Sequence, residues 1–279
     1  MIILSKFLSV IIAVTLVQCS FNMNTDQVDG EGPVVTKNID ISGFTEIDVS
    51  NGWNVQLIPN QPPQLVVKTN ENLVDLLEVN ESGDKLSISA EDNIGSADSK
   101  LIKVYFDKKL TLIKASSASD LTAKEELVFE STTIDASSDA DISLSIKADI
   151  LEVEGSSGSD ITLDAASNDL SVEASSSADI SIKGDNKSIT AKASSRSDIE
   201  LEGISEKADF EATSGSDIDA RDLEAKNVIA EASSGANIDC YPLDTLEATA
   251  SSGADIKYHN NPSKNVASKS TSGGSVSKD

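Results

Sequence analysis

Aspartate recurs in this chain inside a repeated corner of the form Ser-Ser-x-x-Asp-Ile. The acidic position falls at Asp120, Asp141, Asp160, Asp179, Asp198, Asp217, Asn237 and Asp255, at successive spacings of 21, 19, 19, 19, 19, 20 and 18 residues. If the corners stack, neighbouring carboxylates lie about 5 Å apart. Their repulsion is then roughly 1 kcal/mol per pair in water and several-fold more at an interfacial dielectric. Two arrangements relieve it. Each Asp accepts hydrogen bonds from backbone N–H groups and Ser hydroxyls of its own corner, or Ca²⁺ sits between the carboxylates. The spacing does not match the Gly-Gly-x-Gly-x-Asp nonapeptide of Ca²⁺-binding β-rolls, and Asn237 replaces one Asp. The row therefore reads as a structural corner ladder, with no metal and no other cofactor expected.

The remaining chemical inventory is thin. His259 is the single histidine and reads as a surface residue near the chain's end. Serine is abundant, but a Ser nucleophile needs a neighbouring His or Lys to activate it. No GxSxG, P-loop, GxGxxG or HExxH pattern occurs. The two arginines, Arg196 and Arg221, fall at different places within adjacent repeats, which is a poor basis for gripping an acidic polysaccharide. No catalytic residue is assigned. Trp53, the one tryptophan, stands in the first turn, as a cap on the core or as a candidate ligand contact that stacks on a sugar ring. Cys240 sits where Leu144 and Leu163 sit in their repeats and reads as a buried apolar thiol. The formal net charge is -25, which excludes a nucleic-acid partner, because phosphate neutralisation needs a basic stripe.

The elements that carry these residues have period two. Ile142-Ser143-Leu144, Ile161-Thr162-Leu163 and Ile180-Ser181-Ile182 follow the Asp; Leu151-Glu152-Val153 and Leu170-Ser171-Val172 precede the next Ser-Ser. Such alternation places apolar side chains on one strand face and polar ones on the other. Each repeat is expected to hold two short strands, a loose connection (residues 164–168 and 183–187) and a tight corner. A unit of 19 residues cannot bury its apolar face alone, so the repeats stack. The expected fold is all-β, a right-handed parallel β-helix or β-solenoid with coils of about 19 residues. Eight to nine coils make a rod of roughly 40 Å. Small residues near the corner (Ala136, Gly155, Ala174, Ala193) fit a narrow bend. Residues 111–262 form the regular coils, and residues 34–110 read as elaborated opening coils that cap the column, with residues 72–79 as a short helix or turn. Residues 263–279 read as a degenerate last coil and a frayed tail.

Residues 1–18 read as a signal peptide: Lys6 supplies the positive charge, and residues 7–17 form an apolar run of 11, too short for a membrane-spanning helix. Leu16-Val17-Gln18-Cys19 resembles a bacterial lipoprotein signal, in which Cys19 is acylated and becomes the mature N-terminus. Residues 19–33 would then be a polar tether. With Cys19 lipidated and Cys240 the only other cysteine, a disulfide within the mature chain is not expected.

The lipoprotein signal, the segment GFTEIDVSNGWNVQLIPNQPPQLVVKTNENL over residues 43–73, the stretch NESGDKLSI over residues 80–88 and the SSGSDI-type coils together resemble the putative auto-transporter adhesin, head GIN domain family of Bacteroidetes envelope lipoproteins. The resemblance implies a β-helical fold and no established activity. On these grounds the chain is expected to be a lipid-anchored protein of a Gram-negative cell envelope, on the outer membrane at its periplasmic or surface face. It would be a non-enzymatic adhesin-like module for a glycan or a surface protein. The alternatives are a carbohydrate-active β-helix enzyme and a purely structural envelope spacer.

Overall fold

In the computed structural model, which describes residues 27–279, the repeats stack like on like. The signal peptide, Cys19 and the first part of the tether lie outside the described residues. Twenty-three strands and one 3-10 turn make up the described chain, with no α-helix among them. Twenty-one of the strands join in a single wound sheet.

From residue 112 onward every strand pairing is parallel, and the corners keep their register from coil to coil, with shifts only in the connections between Glu200 and Glu202, Ala220 and Glu224, and Ala225 and Asn227. Leu121, Ile142, Ile161, Ile180, Ile199, Ile218, Ile238 and Ile256 stack one on another and are buried. Ala115, Ala136, Gly155, Ala174, Ala193, Ala212, Ala232 and Ala250 form a second row, of small side chains, before the tight corner. Together these rows enclose one apolar column, the non-directional term that makes a 19-residue unit stable only beside its neighbours.

The connections are not loose. Asp141–Ser156 and Asp160–Ala174 run as continuous strands, and their pairing passes through Ser145↔Asp164, Ile146↔Ala165 and Lys147↔Ala166. Stacked chains satisfy backbone N–H and C=O groups even where the polar sequence suggests a loop. A break in the connection survives at Gly184, between Asp179–Lys183 and Asn186–Ala193, where φ is +138°; Gly203, with φ of +131°, lies inside the continuous strand Asp198–Ala212.

Each tight corner is a turn whose two central residues both have positive φ, as Ser157 (56°) with Gly158 (74°), the signature of a type I′ turn. Serine takes the first of these positions from Ser117 to Ser272, although L residues other than Asn and Asp visit this region rarely. Bonds between coils hold them there: Gly158 N–H donates to Ser176 O (3.2 Å) and Ser177 N–H to Ser195 O (3.2 Å).

The capped end departs from sequence order. The first coil of the chain, Glu46–Val49 and Asn54–Pro59, lies second in the stack, between Lys85–Ala90 with Lys100–Phe106 on one side and Leu112–Ser116 with Asp120–Ala123 on the other. The strands Gln64–Asn70 and Leu77–Ser82 then close the end coil through antiparallel pairing. Glu71–Val74 is the 3-10 turn between them. The antiparallel strands leave no parallel edge for another coil to extend.

At the other end, residues 263–279 are not frayed. Asn265–Ser270 and Ser275–Lys278 pair in register with the preceding coil, closing a complete final coil around Ser272 and Gly273. Its column-facing positions include Ser268, Ser270 and Lys278, which pair with Ala248, Ala250 and Tyr258. Polar side chains at those positions blunt an edge that would otherwise template further stacking.

Candidate functional site

The strand that leaves each tight corner presents two outward rows, at positions i and i+2, about 7 Å apart along the strand. The first row is the acidic ladder. Asn54, Asp120, Asp141, Asp160, Asp179, Asp198, Asp217, Asn237, Asp255 and Ser275 are successive pairing partners. The second row runs Gln56, Thr122, Ser143, Thr162, Ser181, Glu200, Asp219, Asp239 and Lys257. Between the rows lies a trough of about 820 Å³, from Asp141 to Asp219. A further 380 Å³ continues it past Arg221, Asn237 and Lys257. Hydroxyls line the second wall at its start and carboxylates farther on.

The ladder carboxylates do not fasten their corners. Among the described residues, no backbone N–H or Ser hydroxyl donates to the side chain of Asp120, Asp141, Asp160, Asp179, Asp198 or Asp255. The fastening group is the buried serine immediately before the Asp. Ser197 Oγ accepts from Ser194 N–H (3.1 Å) and donates to Ala174 O in the previous coil (2.8 Å). Ser159 and Ser216 do the same, while Ala140, Ala178, Ala236 and Ala254 fill that place elsewhere and are buried. The sequence reading put this bond on the wrong residue, because the Asp is the most regular polar group of the corner and the inward position varies between Ser and Ala. The signal for the inward position is that variation itself, since small residues of either polarity are what a tight bend admits.

The carboxylates therefore face one another. Asn237 Nδ2 donates to Asp217 Oδ1 (2.6 Å), and the side chain of Asp141 lies within hydrogen-bonding reach of those of Asp120 and Asp160. Desolvation and the charges of neighbouring ladder residues hold Asp141, Asp160 and Asp198 above the usual Asp range, Asp120 acting on Asp141, Asp141 on Asp160, and Asp179 with Asp217 on Asp198. No ion pair among the described residues reaches the ladder from Asp120 to Asp217. Likewise no cluster of three or more His, Cys, Asp or Glu side chains among them has metal-binding geometry.

The outward row on the strand that enters the corner contrasts with it. Asp48, Lys114, Asp135, Glu154, Glu173, Lys192 and Glu211 stack there. Lys114 pairs with Asp135 at 2.5 Å and Lys192 with Glu173 at 3.7 Å. Lysine interrupts the acids of this face at two places, although Glu154 still stands between Asp135 and Glu173 and is held above its ordinary value by desolvation and by their charges; the ladder from Asp120 to Asp217 contains no such lysine.

Three other residues take definite places. Trp53 is 0 % exposed, and its Nε1–H donates to Ser89 O at 2.9 Å. It follows the left-handed pair Asn51 and Gly52, the inward place that Ser159 and Ala178 hold in later coils. Its ring packs inside the column and offers no face to a sugar, which corrects the ligand-contact reading. Cys240 is buried, and burial pushes its thiol up to about 12. His259 is no plain surface residue: at 19 % exposure its Nε2 lies 2.6 Å from Asp239 and its Nδ1 3.3 Å from Asp279. It ties three successive coils together.

Residues 43–183 and 156–262 match the family described as "Putative auto-transporter adhesin, head GIN domain". Solved structures share the fold. A "putative adhesin" from Parabacteroides distasonis has a TM-score of 0.68 at 17 % identity, with 91 % of this chain and 100 % of that one covered. A "putative adhesin" from Parabacteroides merdae scores 0.65 at 21 % identity, covering 91 % and 99 %. A "putative lipid binding protein" from Parabacteroides distasonis scores 0.63 at 20 % identity, covering 91 % and 99 %. No curated protein matches this chain.

Proposed function

The chain belongs to the "Putative auto-transporter adhesin, head GIN domain" family, and on that premise we propose that it is a lipid-anchored envelope protein whose trough is a non-enzymatic, adhesin-like binding face for a glycan or a surface protein. Cys19 is the anchoring residue in this reading, and the outer membrane of a Gram-negative cell is its address. The observation that carries the proposal is the trough along five consecutive coils from Asp141 to Asp219. One wall is a row of carboxylates without cationic partners, and the other starts with Ser143, Thr162 and Ser181. Carboxylates and hydroxyls at fixed intervals suit a ligand that offers hydrogen-bond donors at a matching repeat, such as sugar hydroxyls or an extended polypeptide.

A glycan array and a pull-down with the chain from residue 19 onward test this reading. Saturable binding that Asp160→Asn and Asp198→Asn weaken together supports it. No saturable ligand would leave a spacer, and turnover of any member of a polysaccharide panel would replace the binding module with an enzyme.

A further inference from the structure

The described chain begins already fastened to the capped end. Gln27 and Val28 pair with Asn93 and Ile94. Beyond them Gly30 N–H donates to Ser96 O (2.7 Å), Gly95 N–H to Val28 O (3.0 Å) and Ser96 N–H to Asp29 Oδ1 (2.8 Å). Asn72 closes the strap, accepting from Glu31 N–H (2.7 Å) and donating to Asp29 O (2.9 Å). The first described residue, Gln27, is therefore held at the capped end. From Cys19 to Gln27 the chain takes eight backbone steps, which reach at most about 28 Å in any conformation.

The other end is far away. Eleven strands stack along the trough face from Lys100–Phe106 to Ser275–Lys278. Ten spacings of about 4.8 Å make this face about 48 Å long. Charge is distributed unevenly along it. Residues 115–262 hold 31 acidic and 10 basic side chains, whereas residues 34–114 hold 12 and 8 and the last coil, residues 263–279, holds one and three. A bilayer surface rich in anionic lipids repels the coils of residues 115–262 and tolerates the cap, and the repulsion acts within a Debye length of the headgroups; the basic last coil can come down only by bringing those acidic coils with it, because the cap end is tethered.

We propose that the capped end faces the bilayer and that the solenoid stands on it end-on, so that the trough opens to a partner beyond the membrane and not to the lipids of its own leaflet. This orientation rests on the reading of Cys19 as the acylated residue. It narrows the partner class to a soluble or opposing-surface molecule, because the trough wall that begins at Asp141 rises out of headgroup reach.

The test uses the acylated protein purified from membranes and placed in vesicles containing anionic lipid and an acceptor-labelled lipid. Ser82→Cys, in the cap hairpin, and Ser277→Cys, in the last coil, each carry a donor dye; both sites are exposed, and Cys240 is buried from the label. Mass spectrometry of the N-terminal peptide reads the lipid. The expected result is a lipid on Cys19, strong transfer from position 82 and weak transfer from position 277. A lipid on Cys19 with equal transfer from the two sites, or stronger transfer from 277, overturns the orientation alone. A Cys19 peptide without lipid overturns the orientation and the anchor together.

Discussion

Replacing one interior ladder aspartate by asparagine should stabilise the protein. Asp198 is the informative position, because its neighbours Asp179 and Asp217 both raise its proton affinity on top of desolvation. At about 5 Å and a water-like dielectric, each neighbour repels it by roughly 0.8 kcal/mol. The low dielectric is not used, since the carboxylate is exposed to solvent. Asp198→Asn removes both pairs and can donate to its neighbour as Asn237 does to Asp217. After screening, the expected gain is about 1–1.5 kcal/mol at low ionic strength, or about 2–5 °C in Tm for a chain of this size. The sign with pH follows from linkage. The folded-state affinities of Asp141, Asp160 and Asp198 for protons are raised, so the folded chain binds more protons than the unfolded one between the ordinary Asp value of about 3.9 and the raised folded values. Wild-type stability must therefore rise as pH falls from neutrality into that window. The asparagine variant should show a flatter profile and lose its advantage there and in 1 M salt. Thermal melts of both proteins at pH 7 and pH 4.5, with and without salt, measure all of this. An unchanged or lowered Tm for Asp198→Asn at pH 7 would refute the reasoning and return the ladder to a bonding role in the corner.

Gly203→Ala should cost roughly 2–4 kcal/mol in urea unfolding, because φ is +131° and the new Cβ would stand 2.1 Å from the carbonyl oxygen of Gly184; an unaltered midpoint would mean that the coil's bend is not fixed there. Ser197→Ala should cost about 1 kcal/mol, the worth of a bond that the Ala178 and Ala254 corners do without, and a loss above 3 kcal/mol would show that the buried hydroxyl holds more than its own turn. Removing residues 263–279 should drive self-association in light scattering, since it bares the edge of the coil that carries Leu246, Ala248 and Ile256; a truncated chain no more associated than the full one would contradict the blunting role of Ser268, Ser270 and Lys278. Excess chelator should leave Tm unchanged, and a drop that added Ca²⁺ reverses would install a metal in the ladder.

The regular coils were legible because parallel stacking demands that each position meet its own equivalent. Nineteen-residue spacing fixes which residues meet, and two-residue alternation fixes which face inward. Trp53 was legible only in part: aligning SNGWNV with SSGSDI puts the indole at the place of Ser159, which left a core cap and a sugar contact both open until the burial of the ring decided for the core. The order of the first coils was not legible. Gln64–Asn70 and Leu77–Ser82 pair antiparallel with the end coil, and antiparallel partners need not resemble one another, so no repeat betrays that residues 46–59 lie inside residues 85–106. The polar stretch at residues 164–168 misled for a related reason. In a stacked coil the backbone is paired by the neighbouring coil whatever the side chains are, and polarity there reports solvent on one side only.

The two outward faces of one solenoid differ in how they treat the same electrostatic problem. On the strand entering the corner, Lys114 and Lys192 interrupt the acids and pair with Asp135 and Glu173. On the strand leaving it, Asp120 to Asp217 stand in register without such a cation, and the row carries a standing repulsion. A lysine at one ladder position would have relieved that repulsion at no cost to the column, because the position faces solvent. The sequence uses that remedy in part on one face, where Glu154 still stands between Asp135 and Glu173, and omits it along the ladder from Asp120 to Asp217 on the other. A local rule broken where the fold does not require it is what a surface shaped for a ligand would show, and the break coincides with the trough along five coils from Asp141 to Asp219, in keeping with the binding face proposed above.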